Sequence, residues 1–238
     1  MTRVSLFWGE EHDCSYLPGR VARSAFVDPG FEMDATVYSG LVAQGFRRSG
    51  GLVYRPHCQR CSACLPARVG SAQFVPARSQ RRNWSRNADL SISINLGQFS
   101  DEYFELYVRY QAGRHAGGAM ERMSRSECRE FLIAPWGVTR CVEFRDEVGK
   151  LMAVAVIDVL NDGYSCVYTF FEPDVPDRGL GTFAVLWQLA EARKRRLPWV
   201  YLGFWISNCQ KMSYKSSFQP LQVFSGGRWN AWEPLGGD

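Results

Sequence analysis

The sequence has no acidic residue over a long internal stretch. Between Asp34 and Asp89 there is no carboxylate, yet nine arginines occur there: Arg47, Arg48, Arg55, Arg60, Arg68, Arg78, Arg81, Arg82 and Arg86. So long a run of positive charge predicts an anionic partner, and guanidinium groups suit bidentate contacts with phosphates or carboxylates. The basic residues of the chain are nearly all arginine, with only four lysines. GC-rich coding is an alternative explanation for this ratio of arginine to lysine.

Histidines are scarce, and two common catalytic motifs are missing. The chain has three histidines, no Gly-x-Ser-x-Gly elbow and no Walker-type phosphate loop. The elbow positions the nucleophilic serine of many hydrolases, and the Walker loop holds nucleotide phosphates. These absences argue against a Ser-His-Asp hydrolase and give no support to a nucleotide-phosphate loop.

Long apolar runs are absent as well. No stretch of about 18 apolar residues occurs, so no membrane-spanning helix and no membrane partner are expected. Residues 1–13 contain Glu10, Glu11 and Asp13 and lack the apolar core of a signal peptide. We therefore expect a cytoplasmic protein.

The composition is that of a folded globular chain, with 46% hydrophobic and 22% charged residues in a length of 238. This length fits one large or two small domains. The uneven charge predicts a Cys- and Arg-rich N-terminal region, residues 1–88, followed by a second region, residues 89–238. In the first region, Cys14 to Pro29 is expected to be loop, and Asp34 is expected to cap a helix that ends near Gly45.

The second region reads as strands followed by a helix and a strand. Alternation predicts a strand near residues 90–96, Ser100 and Ser124 are expected helix N-caps, and Asn161-Asp162-Gly163 predicts a hairpin turn. A Gly-rich turn, a helix and a last strand follow at residues 178–204. This order predicts an α+β fold that resembles acyltransferases of the GNAT type, an analogy that does not itself give a function.

The Gly-rich turn Arg178-Gly179-Leu180-Gly181 has two readings. Backbone N–H groups at such a turn can hold an anion, and acetyl-coenzyme A-dependent GNAT enzymes have a related turn. Pro176 stands where a Gln or Arg is usual in those enzymes, so the match is partial. The alternative is a close-packed turn before a core helix.

Three cysteines have the spacing of a metal site. Cys58, Cys61 and Cys64 follow one another at intervals of three, and Cys14 lies upstream. Thiolates at this spacing can surround one metal centre, so the four together predict a possible zinc or iron–sulfur site. Three partly buried thiols in a turn are the alternative. The remaining cysteines are expected in the core: Cys128, Cys141, Cys166 and Cys209.

Two further segments carry concentrated charge. If residues 76–86 are helical, Arg78, Arg82 and Arg86 share one face with Arg81 beside them, and a bound anion would relieve their repulsion. The alternative is a solvated basic helix. In residues 201–218, two lysines four positions apart are expected to share a helix face among dense aromatics, which suits a pocket for a nucleotide. A core segment with two solvent-facing lysines is the alternative there.

The whole chain resembles the short bacterial arginyl/leucyl-tRNA–protein transferases, the aspartate/glutamate leucyltransferase family. The resemblance rests on motifs spread over nearly its full length: Cys14-Ser-Tyr-Leu-Pro-Gly-Arg20, Phe26-Val27-Asp28-Pro29, Gly45-Phe46-Arg47-Arg48-Ser49-Gly50, Tyr54-Arg55-Pro56-His57-Cys58 with Cys61 and Cys64, Ser79-Gln80-Arg81-Arg82, Tyr168-Thr169-Phe170-Phe171-Glu172-Pro173-Asp174, the Gly-rich turn, and residues 201–218.

The resemblance implies an enzyme that moves leucine from leucyl-tRNA onto proteins beginning with Asp or Glu, which marks them for degradation. It implies no cofactor for the chemistry. Eukaryotic relatives hold zinc or an iron–sulfur centre through N-terminal cysteines, a role that falls here on Cys14, Cys58, Cys61 and Cys64. Leu17 stands where the eukaryotic pattern has a further cysteine, which puts that ligand set in question.

An aminoacyl ester is already activated, so the enzyme chiefly needs to position an α-amine and to stabilise an oxyanion. We predict a cationic site for the acidic N-terminus or the tRNA backbone, formed by Arg55, His57, Arg78, Arg81 and Arg82. We predict that the aminoacyl end and the oxyanion contact the other group: Tyr168, Phe170, Trp205 and the catalytic candidates Lys211, Tyr214 and Lys215.

Three alternatives stay open from the residues. The donor could be arginyl-tRNA, because no pocket residue in the sequence identifies the side chain. An acetyl-coenzyme A-dependent GNAT acetyltransferase would explain the order of elements. A non-catalytic, metal-stabilised RNA-binding module would explain the arginines and cysteines.

Overall fold

The structure, a computed structural model, describes residues 3–233. Helices and sheets are both present, so the predicted α+β class is confirmed. The helices are α1 (Ala35–Ala43), α2 (Arg78–Arg86), α3 (Asp101–Arg114), α4 (Arg125–Leu132), α5 (Leu180–Lys194) and α6 (Gln210–Ser213), with 3-10 turns at Ala119–Arg122, Pro176–Arg178 and Tyr214–Ser217. Over the described residues, none of the helices has the length and hydropathy needed to cross a bilayer.

The strands form one large and two small sheets. They are β1 (Leu6–Trp8), β2 (His12–Asp13), β3 (Val21–Ala22), β4 (Ser24–Val27), β5 (Arg47–Ser49), β6 (Leu52–Pro56), β7 (Leu65–Gly70), β8 (Ser91–Leu96), β9 (Thr139–Arg145), β10 (Leu151–Leu160), β11 (Gly163–Phe171), β12 (Trp199–Trp205), β13 (Leu221–Ser225) and β14 (Arg228–Ala231). The large sheet has the order β14-β13-β7-β12-β11-β10-β9-β8, and the smaller ones have the orders β1-β4-β6-β5 and β2-β3.

Helices cover both faces of the large sheet. Alternate residues of β10 point to opposite sides: Ala153, Ala155 and Ile157 pack with α5, whereas Val154 and Val156 pack with α3 and α4. Helix α2 packs on α5, and α1 packs against one end of β10. The large sheet is therefore a buried layer with a helix pair on each side.

Several predicted helix ends are confirmed. The side chain of Asp34 accepts the Val37 N–H at the start of α1, Ser100 caps α3, and Ser124 forms a capping box with Glu127 at α4. Each of these oxygens satisfies a backbone donor that has no partner inside the helix, which is why the signals are visible in sequence.

Two expectations about the N-terminal half need correction or remain open. The segment from Cys14 to Pro29 was expected to be loop, yet it contains β3 and β4. Strand β7 lies in the large sheet between β12 and β13, although it falls within residues 1–88. The large sheet thus draws on both sides of residue 88, and the division into two domains there stays a prediction.

A buried ion pair joins the four-stranded sheet β1-β4-β6-β5, called the small sheet from here on, to the large sheet. Arg48 of β5 donates through Nε and Nη2 to the two carboxylate oxygens of Asp158 on β10, each at 2.7 Å. Tyr38 and Thr139 also donate to Asp158, and Arg48 donates to the Leu132 carbonyl. Although burial alone would lower it, the carboxylate raises the pKa of Arg48. The network ties α1, α4, β5, β9 and β10 together.

Replacing Asp158 with Asn is expected to lower the free energy of unfolding by about 3–5 kcal/mol, because Arg48 would remain buried without a counter-charge. Urea denaturation at pH 7 measures this. The matched control is Arg195→Gln, which removes a half-exposed partner of Glu191 and should cost less than about 1 kcal/mol. Equal losses in the two variants would contradict the special role of the buried pair.

Candidate functional site

Strands β11 and β12 pair in parallel for only three residues. Gly163, Tyr164 and Ser165 lie beside Trp199, Val200 and Tyr201, and the two strands then separate. We call the gap between residues 166–171 of β11 and 202–205 of β12 the strand opening. It lies towards the C-terminal ends of parallel strands, a position where α/β sheets commonly bind ligands.

Both strands carry a bulge just beyond their last paired residues. On β11, Cys166 and Tyr168 face adjacent residues of β10, so Val167 is the extra residue. On β12, Tyr201 and Gly203 face adjacent residues of β7, so Leu202 is the extra residue. Bulges bend strands and redirect side chains, which accounts for the separation at this point.

The side chain of Arg47 lies in the strand opening. Its Nη1 donates to Ser165 Oγ at 3.1 Å, and its Nη2 donates to the Cys166 carbonyl. On the other strand, a Cβ on Gly203 would lie 3.1 Å from Arg47 Cζ, and Gly203 has φ +83°. Glycine is therefore required there for both the backbone angle and the guanidinium. Sequence reasoning did not single out Arg47, which only its place in the Gly45–Gly50 motif could have signalled.

Lys215 is buried beside Arg47. Its Nζ donates to the Phe204 carbonyl at 2.5 Å and contacts Met212 Sδ at 3.2 Å. Burial first and the charge of Arg47 second lower the pKa of Lys215 to about 7, against a smaller opposing effect of Cys166. Within residues 3–233, neither Arg47 nor Lys215 forms an ion pair with a carboxylate. The positive charge in this part of the opening is therefore not neutralised by a carboxylate of the described residues.

The expected shared helix face of Lys211 and Lys215 is wrong. The chain changes from α-helix to a 3-10 turn at Tyr214, so the four-residue spacing no longer aligns the two side chains. Lys215 is only 5% exposed, whereas Lys211 and Tyr214 are exposed. Burial first, and then the charges of Lys211 and Arg114, lower the pKa of His115. Lys215 is thus buried at the strand opening, whereas Lys211 lies on the exposed surface beside His115.

Aromatic side chains of β11 and α3 lie beside the opening. Tyr168 accepts a hydrogen bond from Gln111 Nε2 at 2.8 Å and contacts Tyr107 and Tyr110. Burial raises the pKa of Tyr168 to about 12. Phe170, also predicted to contact substrate, is fully buried and packs on Tyr107, so it belongs to the core.

Trp205 ends β12 and packs on Trp232 with ring centroids 5.4 Å apart. Its indole Nε1 is buried and has no hydrogen-bond partner among residues 3–233. A buried donor without a partner is costly, so this N–H is available to a bound molecule if the site rearranges around one.

Arg55 lies on β6 of the small sheet and His57 directly follows that strand, whereas the other predicted arginines lie on α2. The Arg55 guanidinium stacks 4.9 Å from the Phe46 ring centre, and His57 is exposed beside Trp8 at 4.3 Å. On α2, by contrast, the four arginines are exposed: Arg78, Arg81, Arg82 and Arg86. The predicted cationic group is thus divided between two surfaces.

The four candidate metal ligands lie around one pocket of about 430 Å³, lined by Cys14, Cys58, Cys61 and Cys64. Backbone N–H groups of Leu17 and Arg23 donate to Cys14 and Cys58. Burial, and then the other three thiols, raise the pKa of Cys64 to about 12. No group of three or more His, Cys, Asp or Glu in residues 3–233 is arranged to hold a metal ion. The thiols meet as predicted, but their arrangement does not fit a metal centre.

The other four cysteines largely follow the core prediction. Cys128, Cys141 and Cys209 are buried, and Cys166 is partly buried at the strand opening. All eight are free thiols.

The Gly-rich turn is packed against α2. Asn83 Nδ2 donates to the carbonyls of Arg178 and Gly179, and Asn87 Nδ2 donates to the Arg178 carbonyl. A Cβ on Gly179, which has φ +58°, would lie 2.6 Å from Asn83 Nδ2. The turn therefore joins two helices closely, which favours the close-packed alternative over a coenzyme A site.

The sequence matches the models of a known protein family. The model described as "Arginine-tRNA-protein transferase, N terminus" matches residues 12–82, and the corresponding C-terminus model matches residues 102–225. The chain belongs to the arginine-tRNA-protein transferase family. The C-terminus match includes the strand opening, Lys211 and Lys215, and the N-terminus match includes Arg47 and the thiols.

Relatives of similar length support the family assignment. The chain is 49% identical to an aspartate/glutamate leucyltransferase of Pseudomonas putida over 96% of this chain and 97% of that protein. It is 49% identical to an aspartate/glutamate leucyltransferase of Nitrosococcus oceani over 91% of each chain. The resemblance to this family stated from the sequence is confirmed.

Solved structures share the fold with low sequence identity. The L-PGS protein from Bacillus licheniformis superposes with a TM-score of 0.53 at 13% identity, over 70% of this chain and 61% of that chain. The C-terminal domain of a protein named as a lysylphosphatidylglycerol synthetase from Agrobacterium fabrum gives 0.50 at 17%, over 80% and 64%. At these identities the likeness concerns the fold alone.

The buried position of Lys215 gives a direct test in this transferase. With only four lysines, the side-chain resonances can be assigned by substitution. We expect one lysine methylene signal to titrate near pH 7 in NMR spectra, to vanish in Lys215→Met and to persist in Lys211→Met. A signal near pH 7 that survives in Lys215→Met would contradict the described environment.

Proposed function

We propose that the chain transfers leucine from leucyl-tRNA to the N-terminal Asp or Glu of acceptor proteins. The observation that carries the site assignment is the strand opening, where Arg47 and Lys215 lie together without a carboxylate partner within residues 3–233. The names of the relatives, which are 49% identical over nearly the full chain, support leucine as the transferred residue. A new N-terminal leucine would then mark the product for degradation.

The reaction requires little beyond positioning and charge stabilisation. The acceptor α-amine attacks the ester carbonyl of the aminoacyl-tRNA, a peptide bond forms, and the terminal ribose hydroxyl leaves. An α-amine has a pKa of about 7.7–8.0, so a fraction is already neutral at pH 7. Holding amine and ester in contact then supplies much of the rate increase.

We assign Lys215 to the developing oxyanion. Two of its possible donor directions are used by Phe204 and Met212, which fix the amine and leave a proton of the ammonium form free for an oxyanion. Arg47 makes that ammonium unfavourable in the resting enzyme, and negative charge on the oxyanion relieves the repulsion. Stabilisation that grows with the charge of the transition state is the kind that accelerates a reaction.

The remaining candidates are assigned by position. Tyr168 and Tyr214 would line the aminoacyl end, with Trp205 at the end of β12. Lys211, at the exposed edge, would contact a phosphate of the donor. Arg55, on β6 of the small sheet, and His57, directly after that strand, would bind the acidic residue of the acceptor. Phe170 is not retained, because its side chain is inaccessible.

The GNAT-type architecture is part of this proposal. Its support is the order of elements together with the bulged, separating pair β11 and β12. The acetyl-coenzyme A alternative is disfavoured by the packing of Asn83 and Asn87 on the Gly-rich turn. No metal takes part in the proposed steps, because the four thiols do not fit a metal site.

Transfer can be tested by incubating the protein with leucyl-, arginyl- or phenylalanyl-tRNA and peptides beginning with Asp, Glu or Ala. We expect a mass increase of one leucine on the Asp and Glu peptides only. Acetyl-coenzyme A, added without tRNA, should give no product. Arginine addition would replace the leucine assignment, and acetylation would contradict the proposed activity.

The role of Lys215 predicts a split between kcat and KM. Lys215→Met should lower kcat by about 10²–10³-fold with little change in KM, as for loss of an oxyanion donor. Lys211→Met should mainly raise KM for leucyl-tRNA. Far-ultraviolet circular dichroism checks that both variants fold. Full activity in Lys215→Met would remove it from the mechanism.

A further inference from the structure

A groove between α2 and α5 lies on the face of the sheet away from α3 and α4. It has a volume of about 590 Å³. Its floor is apolar, with Phe74 below and Leu186 and Leu189 along one wall. Trp84 lines the other wall, 39% exposed, with its ring 5.3 Å from that of Phe183. An indole half open to such a groove presents a face on which a flat ring can stack.

The rim of the groove carries only positive charge. Arg81 from α2 faces Arg193 and Lys194 from α5, and no carboxylate is among the lining residues. All three side chains are exposed, and Arg81 uses only Nη1 in a contact, with the Pro76 carbonyl. Arg78 and Arg82 extend the charge along α2. The nearest acid of α5, Glu191, is held by Arg195.

The arrangement favours a polyanion over a single acidic side chain. One carboxylate needs one cation in a confined site, whereas these cations belong to two helices on either side of an open groove. Phosphodiester chains offer charges at regular intervals, and their bases or ribose faces can rest on aromatic side chains. An RNA backbone therefore matches both the charge and the apolar floor.

The groove also connects to the proposed reaction centre. Gln80 of α2 is buried, and its Nε2 donates to the Ser217 carbonyl at 3.0 Å. Ser217 ends the 3-10 turn that carries Lys215. Helix α2 is thus one hydrogen bond away from the turn that carries Lys215.

We propose that the groove between α2 and α5 binds the phosphodiester backbone of the donor tRNA near its aminoacylated end. This rests on the proposed function, since it takes the tRNA as the donor. It also divides the predicted anion contacts: the arginines of α2 bind the tRNA, and the acidic N-terminus is left to the small sheet.

Direct binding of uncharged tRNA tests the groove independently of catalysis. Arg81→Glu and Arg193→Glu, one on each helix, should each weaken binding at least tenfold in fluorescence anisotropy, and should lower the slope of log Kd against log salt by about 1. The matched control is Arg129→Glu on α4, an exposed arginine with the same charge change on the opposite face. Unchanged tRNA affinity in both groove variants would overturn the proposal.

A second experiment separates the tRNA from the acceptor peptide. Transfer is compared between full leucyl-tRNA and a short 3′-terminal fragment carrying leucine as the same ester. The groove variants should raise KM for leucyl-tRNA about tenfold and leave KM for the fragment and for the Asp peptide unchanged. A raised KM for the peptide with both donors would instead make the groove an acceptor site and refute the proposal. If the wild type transfers no leucine, the proposed function fails, while the anisotropy result still decides whether the groove binds RNA.

Discussion

The buried contact between Arg48 and Asp158 determines how the two main sheets meet. Arg48 belongs to the short strand β5, and Asp158 lies near the C-terminal end of β10, so their bidentate pair holds the small sheet against the large one there. Neighbouring residues of a strand point to opposite sides. With Arg48 fixed on Asp158, Arg47 is directed to the other side, where it reaches β11. The position of the Arg47 guanidinium in the strand opening thus depends on a buried ion pair that lies outside the opening.

This arrangement also explains why the strand opening stays positive. The buried carboxylate of Asp158 is already shared by Arg48, Tyr38 and Thr139, so it is not available to Arg47. Lys215 is buried near the Arg47 guanidinium, and among the described residues its Nζ contacts only neutral acceptors, the Phe204 carbonyl and Met212 Sδ. The resulting site is poor at holding a proton in its resting state and well suited to stabilise negative charge when it forms.

Sequence patterns predicted what local chemistry determines and missed what depends on distant contacts. Caps at Asp34, Ser100 and Ser124 follow from side chains beside their own helices. The burial of β7 could not be read, because Pro66 and the nearby cysteines interrupt its apolar pattern, and its partners β12 and β13 are far along the chain. The spacing of Lys211 and Lys215 predicted a shared helix face, which is wrong because a 3-10 turn begins at Tyr214 and ends the α-helix between them. The strand opening arises from bulges, which leave no signal in the sequence.

The acid-free arginine stretch therefore has several separate uses, although the sequence shows it as one feature. Arg48 is internal, Arg68 is held between Trp199 and Trp229, and Arg47 lies in the strand opening. Only the arginines of α2 remain exposed as a continuous surface. A carboxylate within this stretch would have competed for each of these guanidinium groups during folding and in the finished site. The absence of acids is thus a condition for placing several buried or stacked cations close together, in addition to its value for binding an anionic partner.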